Sequence, residues 1–158
     1  MSRDQRPAGL TLASGGTIVL QVQDANGVAG VGYDLLTISG APLDITATSG
    51  SPFTVIVQSL DGSNNLGAAL NFNPASSYSW TIATSAAGIT NFAPNAFTFV
   101  STDFTNTLGG TFALAQSGND LLLNFTPAAV PEPSTWALLL TGAGVTGLAL
   151  RRRRSSAR

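Results

Sequence analysis

Over residues 1 to about 128, apolar and polar residues alternate in short runs. TIVLQVQ, from Thr17 to Gln23, puts Ile18, Leu20 and Val22 on one face, the period of a half-buried strand. The same pattern recurs in YDLLTIS (33–39), PLDITAT (42–48), FTVIVQSL (53–60), SYSWTIAT (77–84), AFTFVST (96–102), GTFALAQ (110–116) and DLLLNFT (120–126). Each run is rich in β-branched or aromatic residues and is bounded by Gly, Pro, Ser or Asn. No stretch before the tail carries a 3.6-residue period. The spacing predicts an all-β body of about eight strands, either a β-sandwich or a β-solenoid-like coil. LLTISG (35–40) echoed by DITATSG (44–50) is the kind of repetition a coil would give. The expected core is Ile18, Leu20, Leu36, Ile38, Val55, Val57, Trp80, Phe99, Phe112 and Leu122.

The pattern changes near residue 130. From Trp136 to Leu150 no charged residue occurs, and counted from Ser134 the apolar segment has 17 residues. As a helix it would span about 25 Å at 1.5 Å per residue, short but workable for a hydrocarbon core of roughly 30 Å. Pro133 and Ser134 suit a helix start, and Glu132 would complement the positive end of its dipole. A core helix would keep a polar face, and this run has none. One C-terminal transmembrane helix over 136–150 is therefore expected, anchored by Trp136, Leu138, Leu139, Leu140, Val145, Leu148 and Leu150. Arg151, Arg152, Arg153 and Arg154 follow it directly and should stay cytoplasmic, which puts the β body on the far side of the bilayer. The expected organisation is a β-rich extracytoplasmic domain (1–128), a Pro-rich linker (129–135), the span (136–150) and a basic tail (151–158).

Charge sharpens this division. Charged residues are only 9% of the chain, and all seven basic residues are arginines placed at the two ends. Between Pro7 and Leu150 there is none, while Asp24, Asp34, Asp44, Asp61, Asp103, Asp120 and Glu132 remain. An acidic body has no footprint for a phosphate backbone, so nucleic acid is not an expected partner. His and Cys are absent, which removes the usual zinc sites, Ser-His-Asp triads and Cys-His dyads. The aspartates stand singly beside turn residues, where carboxylates commonly serve the backbone. Asp24-Ala-Asn-Gly and Asp61-Gly-Ser-Asn-Asn look oxygen-rich but do not fit an EF-hand loop. Tyr33, Tyr78, Trp80, Phe97 and Phe99 could line a sugar platform, but core is the better reading. The expectation is a protein without enzymatic activity, cofactor or metal.

Pro131, Glu132 and Pro133, a short apolar helix and a terminal arginine cluster together resemble the PEP-CTERM sorting signal of certain bacteria, whose tail is also named after ice-binding proteins. The resemblance implies that a membrane-embedded exosortase recognises Pro131, Glu132 and Pro133 and processes the chain near them, that the lipid bilayer holds the span, and that Arg151 to Arg154 act in retention. It implies delivery to the cell envelope, the surface or the extracellular matrix, with a link to exopolysaccharide and biofilm. GYDLLTISGAPLDI and FTNTLGGTFALAQSGNDLLLNFTP, within residues 30 to 127, resemble the closing block of autotransporter-associated β-strand repeat proteins. An exported chain should carry a leader, yet AGLTLASGGTIVLQVQ has no unbroken apolar run of the needed length. That leaves open a fragment, a mis-assigned start or another export route. The leading reading is a non-enzymatic surface or matrix protein; the alternative is a polysaccharide- or ice-binding module on the same address.

Overall fold

A computed structural model of the chain describes residues 9–129. The chain divides at Ala128, and the unit before that point has its own core. Its strands recur in circuits. The first circuit lays down β1 (Leu10–Leu12), β2 (Thr17–Val22) and β3 (Leu36–Ile38). The second lays down β4 (Leu43–Ile45), β5 (Phe53–Ser59) and β6 (Tyr78–Ser85), and the third begins with β7 (Ile89–Thr90) and β8 (Phe97–Val100). Each strand runs parallel to its counterpart one circuit earlier, giving sheets ordered β1-β4-β7 and β2-β5-β8. β3 and β6 start a third sheet in the same way. It is finished by a hairpin of β9 (Gly110–Ser117) and β10 (Asp120–Pro127), in the order β3-β6-β10-β9.

Of the two architectures the sequence allows, this connectivity is that of a solenoid-like coil. A sandwich would pair neighbouring strands antiparallel, whereas among the strands of the described residues only β10 pairs antiparallel, with β6 and β9. Gly118, at φ 58, opens the two-residue turn of that hairpin, a conformation glycine adopts without strain. The long loops stack as the strands do. Leu70 exchanges backbone hydrogen bonds with Gln23 and Ala25 on the loop before it, and Asn106 brackets Ala69 from the loop after it. In the loop between β2 and β3, Gly27 and Gly32 pass so close that a Cβ on either would lie 2.6 Å from the other's Cα.

The interior follows the period of two. β5 alternates without fault, with Phe53, Val55, Val57 and Ser59 buried and Thr54, Ile56 and Gln58 facing out. In β6 both Ile82 and Ala83 are buried, because a bulge opposite Leu121 and Leu122 places two successive residues inward. Leu20, Ile38, Val55, Val57 and Trp80 are buried as expected, while Ile18, Phe99 and Phe112 pack half-buried against the same cluster. Two expected core residues differ. Leu122 is not buried; Leu121, Leu123 and Phe125 are, so β10 is inward at the odd positions. Three leucines in a row carry no phase of their own, and the phase is set by Asn124 and Phe125. Leu36 lines the interior but is 37% exposed, since no strand among the described residues lies beyond β3.

Other boundaries moved as well. Only Leu36–Ile38 of the 33–39 run forms a strand, and Tyr33 instead bridges Val22 and Ala29. β1 and β7 were not anticipated, being three and two residues long and lacking any run to betray them.

Candidate functional site

The outward face of the β2-β5-β8 sheet is a regular surface. Register places Thr17, Thr54 and Thr98 in one row, then Val19, Ile56 and Val100 in the next. Val19 is 43% and Val100 37% exposed. All six side chains are β-branched and therefore stiff at χ1. Beside them runs a polar row, in which Gln21 donates to Gln58 at 3.5 Å and Gln58 donates to Asp103 at 3.0 Å. Neighbouring rows are separated by roughly 6.6 Å along the strands and neighbouring circuits by about 4.8 Å. The sequence could not show this array. The partners are Thr17, Thr54 and Thr98, whose separations in the chain are unequal because the loops between circuits differ in length.

The aspartates brace the backbone of their own loops or tie neighbouring circuits together. Asp24 Oδ1 accepts hydrogen bonds from the Asn26 N–H and from Asn71 Nδ2, and these hold its carboxyl below the usual carboxylate range, the Asn71 bond having the larger effect. Asp61 Oδ1 accepts from the N–H groups of Ser63 and Asn65, an Asx-type turn. Asp44 accepts from the Thr90 hydroxyl at 2.7 Å and from Asn91 Nδ2 at 2.8 Å, and its pKa is lowered for that reason, Thr90 first. Asp34 caps the Gln21 N–H at 2.9 Å. Among the described residues no three His, Cys, Asp or Glu side chains gather as a metal site would need.

The aromatics are interior. Trp80 is 2% exposed and donates its indole N–H to Ala25 O at 2.9 Å. Tyr78 stacks on it at 5.1 Å, and Tyr33, Phe97 and Phe99 lie in or against the same core, which is the reading preferred from sequence. An apolar cavity of about 20 Å³ between the sheets is lined by Leu12, Leu20, Val55 and Ile82 among others. A polar cleft of about 90 Å³ lies between Gln21, Gln23, Tyr33, Asp34 and Asn64. Gln23 Nε2 spans it, donating to Asn64 Oδ1 and to Asp61 O.

The residues expected to carry sorting lie outside the described residues: Pro131, Glu132 and Pro133, the span from Trp136 to Leu150, and Arg151 to Arg154. Among the described residues no helix is long and apolar enough to cross a membrane. Their identity is tested by comparison instead.

Residues 129–154 match the PEP-CTERM protein-sorting motif. The match covers the linker, the apolar run and the four arginines expected to act together. A PEP-CTERM tail implies an exported protein, directed toward the cell envelope or surface and processed by an exosortase, a membrane enzyme. No curated protein and no solved structure matches the chain. The likeness of residues 30 to 127 to autotransporter-associated repeats, and the naming of the tail after ice-binding proteins, find no support in these comparisons.

Proposed function

We propose that this chain is a non-enzymatic surface or matrix protein: a β coil carried to the cell exterior by its PEP-CTERM tail and processed by an exosortase at Pro131-Glu132-Pro133. The match of residues 129–154 to the sorting motif is the observation that carries this reading. A span over 136–150 holds the chain in the bilayer, and Arg151 to Arg154 keep its end cytoplasmic until processing. A chain without His or Cys, in which Asp24 and Asp61 hold turns and Asp44 ties two circuits together, favours a structural over a catalytic role. Exopolysaccharide is the proposed surrounding of the delivered body. The test is to express the exported full-length protein in a host with an exosortase and follow the size and location of the mature form. Delivery of a shortened body to the surface supports the reading; a full-length protein that stays in the membrane sinks it.

A second reading, a polysaccharide- or ice-binding module on the same address, is favoured by the rows Thr17-Thr54-Thr98 and Val19-Ile56-Val100. A rigid, uncharged lattice of hydroxyl and methyl groups suits a ligand that is itself periodic. Retention on insoluble polysaccharide or on growing ice, lost in Thr54→Lys, would establish it. Equal behaviour of the parent and the variant on both surfaces would remove it.

A further inference from the structure

The polar cleft of about 90 Å³ opens where the outward face of β2 meets the long loops, and two circuits build it. Gln21, Gln23, Tyr33 and Asp34 come from the first circuit, Leu60 and Asn64 from the second. Its walls are fixed by the fold. Gln21 and Asp34 hold each other twice: the Gln21 N–H donates to Asp34 Oδ2 at 2.9 Å, and the Asp34 N–H donates to Gln21 O at 3.0 Å. Gly32 O accepts from the N–H groups of Gln23 and Asp24, both at 2.8 Å. Asn64 stands in the left-handed region at φ 62, which asparagine tolerates, within the turn that Asp61 braces. Gln23 ties the two walls together, because its Nε2 donates to Asn64 Oδ1 at 2.9 Å and to Asp61 O at 3.1 Å.

These bonds leave a definite hydrogen-bonding capacity over. Among the described residues Asp34 Oδ1, Gln21 Oε1 and Gln23 Oε1 accept from no group, and Asn64 Nδ2 donates to none. No basic residue occurs from Pro7 to Leu150, so an anionic ligand would find no counter-charge and would meet the Asp34 carboxylate. One carboxylate is a poor cage for a divalent cation, and no three acidic side chains gather among the described residues. An apolar ligand would strand the acceptors. A neutral molecule rich in hydroxyls fits, since each hydroxyl both donates and accepts. A closed cavity of about 150 Å³ admits benzene, so this smaller, open cleft takes one edge of a six-membered ring and leaves the rest in water. Val31, 75% exposed on the rim, offers carbon to the C–H groups of such a ring.

We propose that this cleft is a subsite for one unit of a neutral hexose, held through two adjacent ring hydroxyls. Asp34 Oδ1 and Gln23 Oε1 accept from those hydroxyls, and Asn64 Nδ2 donates to one of them. The fixed walls lower the ordering cost of binding. Gln21 belongs both to the cleft and to the polar row that runs beside Val19, Ile56 and Val100, so further units of a chain would pass out over that sheet. The subsite goes beyond the lattice reading of that sheet. A lattice needs a periodic surface, the cleft needs one ring, and either can fail alone.

The isotope-labelled full chain, in a detergent without a sugar headgroup, should be titrated with glucose, galactose and mannose and followed by NMR. At least one hexose should shift the backbone amides of Gln21, Gly32 and Asp34 and the side-chain amide of Asn64 along a saturable curve. The matching uronate, the same ring bearing a carboxylate, should bind about tenfold more weakly or worse. Asp34→Asn keeps an acceptor for the Gln21 N–H and puts a donor where the second carboxylate oxygen was. It should weaken hexose binding about tenfold or more, the effect of losing a hydrogen bond to a charged group. Asn64→Asp keeps the acceptor for Gln23 and removes the donor, and should weaken binding as well. If Asp34→Asn disturbs the spectrum before sugar is added, Asn64→Asp decides alone. Thr54→Lys, on the lattice, should leave hexose binding unchanged, so polymer retention lost there with the hexose still bound separates the two sites. No saturable shift with any of the three hexoses overturns the proposal. So does binding that requires added calcium, a uronate bound as well as its hexose, or undisturbed cleft variants that titrate like the parent.

Discussion

The tail and the body of this chain store information in different ways. In the tail, meaning lies in linear order: a Pro-Glu-Pro, an apolar run and four arginines, all within residues 129–154. On the proposed reading, an enzyme that reads such a signal would need the segment and not the fold. In the body, meaning lies in register. Thr17 becomes the neighbour of Thr54, and Asp44 of Thr90, only after the coil has formed. The tail should therefore tolerate changes in the body, and the body changes in the tail. Each prediction below attacks that independence at a different strength.

The largest effect is expected at Glu132. Glu132→Ala should abolish processing while leaving membrane insertion intact, since insertion depends on the apolar run and recognition on the motif. Mature protein size after expression with an exosortase is the readout. If the variant is shortened and delivered like the parent, the tail is an anchor and carries no address. Replacing Arg151 to Arg154 with Ser should weaken retention instead, because each guanidinium costs about 2.5 to 3.5 kcal/mol to move into hydrocarbon.

The next effect belongs to the body. Trp80→Ala removes a buried indole, its hydrogen bond to Ala25 O and its stacking on Tyr78, and should cost about 3 to 5 kcal/mol. Chemical denaturation of the purified protein measures it. Processing of the exported variant at Pro131-Glu132-Pro133 should continue. A block there would mean that the exosortase senses the fold, and the separation of the two regions would fail.

How legible each region was follows from the same contrast. The tail's three parts could be read in order from the sequence and were matched as a unit. In the body, the eight long runs announced strands because alternation is local, and β5 shows it without fault. What alternation cannot carry is which strand pairs with which. Leu35–Gly40 and Asp44–Gly50 look like successive rungs, yet β3 pairs with β6 and β4 with β1 and β7. The phase of β10 was lost in Leu121-Leu122-Leu123, and β1 and β7 are too short for periodicity to register. The Thr and aliphatic rows appear only with the register, which loops of unequal length conceal.

A smaller effect is expected where a side chain holds two loops together. Asn106 Oδ1 accepts from the Ala69 N–H at 2.7 Å, and its Nδ2 donates to Ala69 O at 3.1 Å. Ala69 is 5% exposed, so water reaches these groups poorly. Asn106→Ala should cost about 1 to 3 kcal/mol, the range for leaving buried polar groups unsatisfied. Faster amide exchange at Ala69, with the β5 amides unchanged, would locate the loss in the loop stack. Uniform loosening of β5 would show that loops and coil do not act separately.

The smallest effect is a pH dependence whose origin exists only in the fold. Asp44 gains hydrogen bonds from the Thr90 hydroxyl and then from Asn91, and both favour the ionised carboxylate. Its folded pKa therefore lies below the unfolded value, which is near 3.9 for an ordinary aspartate. A depressed pKa means that the unfolded state binds the proton more tightly, so stability rises with pH through that range. The contribution is complete above the unfolded value and fades as pH falls through the folded one. Asp24 adds to it with the same sign, through Asn71 and Asn26. Water reaches both carboxylates, so the contribution is modest and salt-sensitive. Asp44→Asn should be less stable than the parent at pH 7, and the gap should have narrowed at pH 3, below the unfolded value, where the unfolded chain takes up the proton. Urea midpoints at the two pH values decide the matter. If the gap between the two proteins is the same at both, the Asp44 carboxylate is not held by the third circuit. The pairing of β4 with β7 would then rest on backbone hydrogen bonds alone.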